Sequence, residues 1–131
     1  MDNPGKIVWI TGASSGIGEA LAYAYSRKGA RLILSSRNEE KLEEVRERCT
    51  NPSEHIVLPL DLTETKALEK KYTEAIGWGG HIDILFNNGG VSQRSFAAET
   101  PLEIDRRIME TNFFGTVALT KTVLPGMVAR K

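Results

Sequence analysis

The stretch "WITGASSGIGEAL", residues 9–21, sets an apolar run against three glycines and two serines, and then a helix-like pattern. Such bare backbone at one point lets a chain turn sharply and approach another group closely. Gly12 allows the turn off a strand, Gly16 lets backbone reach a bound group, and Gly18 lets the following helix pack near a sheet. Ser14 and Ser15 add hydroxyl donors and a candidate helix cap, with Thr11 and Ile17 completing the turn. Amides converging at a helix N-terminus, with no side chain in the way, are what a diphosphate needs. The competing reading is a tight turn with no ligand. Three glycines at this spacing, after a strand and opening a helix, disfavour it.

The rest of the chain repeats the alternation. Residues 6–12, "KIVWITG", read as a buried strand, and Ile17, Leu21 and Ala24 fall at helical spacing until Gly29. "ARLILSSR" is a second strand. Asn38 then caps a charged helix with Leu42, Val45 and Cys49 on one face and a Glu44–Arg48 pair on the wet side. "HIVLPLDL" is a third strand, and Thr63 caps a helix whose stripe is Leu68, Tyr72, Ala75 and Ile76. Residues 82–88 give a fourth strand, followed by the loop "GGVSQRSFAAE" and a helix start at Thr100, Pro101 and Glu103 with a capping-box carboxylate. Trp78, among Gly77, Gly79 and Gly80, marks a loop, and Pro125 with Gly126 marks a bend in the last helix.

Strand and helix alternating four times imply an α/β fold, a parallel sheet with helices on both faces in three layers. Pro59 lies inside the third strand, where a proline is tolerated only at a sheet edge. That favours the Rossmann-type doubly wound order 3-2-1-4, with residues 1–131 as one nucleotide-binding domain.

Composition narrows the function. Lys+Arg and Asp+Glu are both 17, so no global field draws the chain to nucleic acid or anionic lipid. The N-terminus shows neither a signal peptide nor a membrane anchor, and the single cysteine fits a reducing compartment, so a cytoplasmic location is expected. His55 and His81 have no partners at metal spacing, so no metal site is expected; Cys49 reads as core.

Thr11-Gly12-x-x-x-Gly16-x-Gly18 differs from the commoner G-x-G-x-x-G and resembles the turn of the short-chain dehydrogenases/reductases. Further motifs follow in register. Asp61 and Leu62 come after the third strand, where the family's Asp contacts adenine. Asn87-Asn88-Gly89-Gly90 matches the family's Asn-Asn-Ala-Gly with one change, and Asn112 in "METNFFGT" matches the helix asparagine of its catalytic tetrad. "NNGGVSQRS" with "LTKTVLP" most resembles the member-7 branch of the dehydrogenase/reductases. The resemblance implies an oxidoreductase acting on a small-molecule carbonyl or alcohol, homo-oligomeric at full length. It also implies that Asn112 bends its helix and supports a water in a proton relay.

The end of the second strand selects the cofactor. NAD-selective sites place an acid there for the ribose hydroxyl, whereas this chain has Ser35-Ser36-Arg37-Asn38. A guanidinium binds a 2′-phosphate through charged, forked hydrogen bonds, so Arg37 with Ser36 points to NADP(H) over NAD(H). The same arginine argues against a methyltransferase site, which wants an acid at that place. The family's proton donor is a Tyr-x-x-x-Lys with an upstream serine, but four residues after Tyr23, Tyr25 and Tyr72 come Arg27, Gly29 and Ile76. The serine and tyrosine would follow a fifth strand, beyond Lys131. This chain is therefore expected to supply the cofactor-binding half and to lack catalysis alone, with a non-catalytic nucleotide-binding or interaction module as the alternative. The loop 91–100 is expected to border the substrate side. An unpaired fourth strand would make the isolated chain prone to associate or pack loosely.

Overall fold

Alternate residues of the first strand, β1 (Ile7–Thr11), point to opposite sides of the sheet, and both sides are apolar. Ile7 and Trp9 enter one core cluster, Val8 and Ile10 the other. A strand that is apolar on both faces must be covered on both, which parallel sheets achieve with crossover helices. In the computed structural model, which describes residues 4–90 and 96–131, that cover is present. β1 pairs in parallel with β2 (Arg31–Ser35) and β4 (Ile84–Phe86), and β2 pairs with β3 (Ile56–Val57). The order is β3-β2-β1-β4, the doubly wound arrangement the alternation implied. α1 (Gly16–Arg27) and α2 (Glu39–Arg48) bring Ala22, Leu42 and Val45 to one face. α3 (Leu68–Gly79) and α5 (Thr116–Arg130) bring Leu68, Ala75, Leu119 and Val123 to the other. α4 (Leu102–Met109) runs into α5 through a six-residue π-helical segment, Glu110–Gly115.

Several elements differ from their sequence reading. The third strand has two ladder residues, yet Leu58 and Leu60 still donate to the Leu34 and Ser36 carbonyls at 2.8 and 2.9 Å. Pro59 falls between these donors, where its missing N–H faces the open edge. In α1 the buried positions are Gly18, Ala22 and Ser26, while Ile17 is 72% exposed. The fully buried positions of this helix carry small side chains, and Leu21, Tyr23 and Tyr25 pack partly buried around the same cluster. Glu44 pairs with Lys41 at 3.7 Å rather than with Arg48. Thr63 is not the cap of α3, which starts later at Leu68. Its hydroxyl and N–H serve Asp61 instead.

The third helix also ends later than expected. Trp78 lies within α3, which stops before Gly80 at φ 86°, and the Arg31 guanidinium sits 4.4 Å over the indole. α4 begins without a capping box: Pro101 is its cap, and the Thr100 hydroxyl donates to the Phe96 carbonyl at 3.0 Å. α5 runs through Pro125; the departure from α-helical geometry lies at Glu110–Gly115. Asn38 caps α2 as expected, accepting from the Lys41 N–H at 3.1 Å. Among the described residues, no helix is long and apolar enough to cross a membrane.

His55 locks the sheet end remote from the glycine turn. Its buried ring accepts the Leu32 N–H at Nδ1 (3.1 Å) and, with that nitrogen occupied as acceptor, donates from Nε2 to the Thr50 carbonyl (2.8 Å). Burial, only partly offset by Thr50 and Glu54, holds its pKa below the ordinary 6.5. The folded state then binds the proton less readily than the unfolded chain, so the neutral ring's contribution is fully present above 6.5 and lost as pH falls below it. In denaturant titrations stability is expected to fall below that point, with His55→Gln flattening the slope. An unchanged slope in the variant would mean that other groups carry it.

Candidate functional site

At the C-terminal ends of the strands a cavity of about 280 Å³ opens between the glycine turn, the end of β2 and the loop after β4. Its floor depends on Thr11, the buried last residue of β1. The Thr11 hydroxyl donates to the Phe86 carbonyl at 3.1 Å and accepts the N–H groups of Asn88 (3.0 Å) and Gly89 (2.8 Å). One side chain thus satisfies three backbone groups where β4 ends and would otherwise splay. Asn88 completes the clip, its Nδ2 donating to the Gly12 carbonyl at 3.3 Å.

The glycines fit these approaches. Gly12 has φ 65°, and a Cβ on it would lie 2.7 Å from the Asn88 carbonyl oxygen. A Cβ on Gly18 would drive into the Gly12 carbonyl. At Gly89, where the family pattern has alanine, a Cβ would come 2.9 Å from Leu62 Cδ1, so that leucine occupies the space here. Ser15 is the cap residue of α1 but its side chain makes no capping hydrogen bond. The first amides of α1 thus have no side-chain cap at the positive end of a helix dipole.

Of the residues singled out from sequence, Thr11, Gly12, Ser14, Ser15, Ser36, Arg37, Asp61, Leu62, Asn88, Gly89 and Gly90 line the cavity together. Gly16, Ile17 and Gly18 form the start of α1 beside it without lining it. Asn87 points elsewhere: its amide donates to the Thr120 hydroxyl on α5 at 3.0 Å. Asn112 lies in the π-helical segment, its Oδ1 2.8 Å from where a Cβ on Gly90 would stand. That proximity brings Asn112 beside the cavity-lining Gly90. Residues 91–95 of the loop thought to border the substrate lie outside the described residues.

The cavity also takes in Ser35, Asn38, Leu60 and the buried Thr111, none of which the sequence assigned to the site. Ser35 directly precedes the assigned Ser36, so its position was within reach; Thr111 comes from a distant helix. Asp61 is partly buried, which pushes its carboxyl up. The hydroxyl and N–H of Thr63, at 2.7 and 2.9 Å, and then the positive charges of Arg37 and Arg107, hold it below the usual carboxylate range. No cluster of metal-ligating side chains occurs among the described residues.

The family model for the short chain dehydrogenases matches residues 6–131. The chain belongs to that family. It is 49% identical over 130 residues to human "Dehydrogenase/reductase SDR family member 7", covering 95% of this chain and 38% of that protein. A Drosophila melanogaster "Dehydrogenase/reductase SDR family protein 7-like" is 45% identical over 132 residues, covering 97% and 40%. These bear out the resemblance to the member-7 branch. A solved short-chain type dehydrogenase/reductase from Mycobacterium marinum superposes with TM-score 0.91 at 29% identity, over 98% of this chain and 53% of that one. A short-chain dehydrogenase from Streptomyces avermitilis does so with TM-score 0.89 at 30% identity, over 99% and 47%. This short-chain dehydrogenase chain spans about two-fifths of the length of those curated relatives.

The Thr11 clip makes a stability prediction. Thr11→Val keeps the shape but leaves the Asn88 and Gly89 amides without an acceptor, which costs about 2–4 kcal/mol. Thr11→Ser restores the oxygen and is expected to recover most of that loss. Urea unfolding of the three proteins measures it, and a stable valine variant would show that the clip is dispensable.

Proposed function

We propose that this chain is the nucleotide-binding part of an NADP(H)-dependent oxidoreductase that moves a hydride between nicotinamide and a carbonyl or alcohol substrate. The observation that carries this reading is the shared cavity: Gly12, Ser14 and Ser15 of the glycine turn line it together with Arg37, and β2 ends in serines rather than an acid. The uncapped amides of α1 suit a diphosphate, and Ser14 and Ser15 add hydroxyls beside it. Arg37 and Ser36 would take the 2′-phosphate, Asp61 and Leu62 the adenine side, and the backbone from Asn88 to Gly90 the nicotinamide half. A bound nicotinamide supplies or accepts the hydride, while this chain's residues hold and orient it. Asn112, beside Gly90, would support the proton relay without itself transferring the proton to substrate.

The non-catalytic alternative has one observation in its favour. None of Tyr23, Tyr25 and Tyr72 has a lysine four residues on, so we read this chain alone as not competent for hydride transfer. NADPH oxidation against a panel of carbonyl compounds, by this chain and by a longer form carrying a Tyr-x-x-x-Lys, separates the two readings.

Arg37→Asp tests cofactor choice. Loss of a charge-assisted fork and gain of a repelling carboxylate should weaken NADPH about 100-fold while changing NADH less than about threefold. Calorimetric titration of both cofactors reads the difference. Equal losses would remove Arg37 from 2′-phosphate recognition, and no affinity of the parent chain for either dinucleotide would sink the whole reading.

A further inference from the structure

A carboxylate is an awkward neighbour for a phosphate site. Asp61 lines the same cavity as Arg37, and a carboxylate there competes with any anion for that guanidinium. Thr63 occupies Asp61 Oδ1 with its N–H at 2.9 Å and its hydroxyl at 2.7 Å, but both donors are neutral and leave the charge in place. A second cation is needed if Arg37 is to be open to a ligand.

The helix that crosses over Asp61 and Leu62 supplies one. Gly115 packs so close to this turn that a Cβ on it would strike the Leu62 carbonyl oxygen and Cβ. Thr111, four residues earlier, is buried and lines the cavity. Arg107, four residues earlier again, lies in the last turn of α4. Arg107 therefore stands about one helical turn before the cavity-lining Thr111. Its positive charge, with that of Arg37, acts on the Asp61 carboxylate. The charges of two arginines on separate elements, 70 positions apart in the numbering, thus both favour the ionised form of one acid.

We propose that Arg107 is a positioning residue for 2′-phosphate recognition: acting on Asp61 from α4, it answers the carboxylate and leaves the Arg37 guanidinium to the ligand. This rests on the NADP(H) reading above. Removing Arg107 then acts on phosphate selectivity rather than on nucleotide binding in general, because Asp61 would draw Arg37 to itself.

Calorimetric titration of the full chain with adenosine 2′,5′-bisphosphate and with adenosine 5′-monophosphate isolates that selectivity. Arg107→Gln is expected to cut the ratio of the two affinities about fivefold, with monophosphate binding held within about twofold. Arg107→Lys should keep the ratio. Asp61→Asn in the Arg107→Gln background should return it toward the parent value, since the charge to be answered is gone; a merely structural arginine would not be rescued in this way. An unchanged ratio in Arg107→Gln, an equal loss for both probes, or no rescue by Asp61→Asn would overturn the role of Arg107. A parent chain that does not distinguish the probes would instead overturn the NADP(H) reading, and the role of Arg107 would fall with it.

Discussion

The hydroxyl of Thr11 holds the working end of this molecule together. It stands at the tip of the central strand and bonds to three backbone groups of the neighbouring strand's end and loop. Through them Asn88 is placed to bind the Gly12 carbonyl, and Gly18 fits beneath that same carbonyl. Strand, turn, helix start and distant loop become one piece. The cavity exists because of this: its opposite walls are sequence neighbours of Thr11 and of Asn88, 77 residues apart.

Its electrostatics follow from how few side chains intrude. The uncapped start of α1 lies beside the site, Arg37 follows the end of β2, and Asp61 feels the positive charges of Arg37 and Arg107. Carboxylates buried near a guanidinium stay ionised, so the cavity keeps a fixed pattern of charge rather than a neutral one. The π-helical segment belongs to the same design. One such turn carries an extra residue, re-aims the side chains after it and recurs at functional sites. Here it brings Thr111 inward and Asn112 beside Gly90.

The sheet order was legible because β1 is apolar on both faces and Pro59 can sit only where no neighbour needs its N–H. The glycine turn was legible because Gly12 and Gly18 stand where a Cβ would be blocked and Gly16 has a φ of +55°. Periodicity misled where packing is closest. In α1 Leu21 does pack against the core, but Ile17 is exposed and the fully buried positions are the small Gly18, Ala22 and Ser26, where the helix comes nearest the sheet. Identical neighbours also misled. Asn87 and Asn88 looked equivalent, yet just past the end of β4 the first bonds to Thr120 and the second to the Gly12 carbonyl.

Local pattern by itself determined the alternation of strands and helices, the turn that opens α1, and the lack of an acid at the end of β2. Each of these depends on residues within a few positions of one another. Tertiary packing alone decided which asparagine faces the cavity, that Thr63 serves Asp61 instead of capping α3, and that the helix carrying Arg107 and Thr111 crosses above Asp61. Those outcomes depend on how far one element slides against another distant in the chain, and no local spacing encodes that distance.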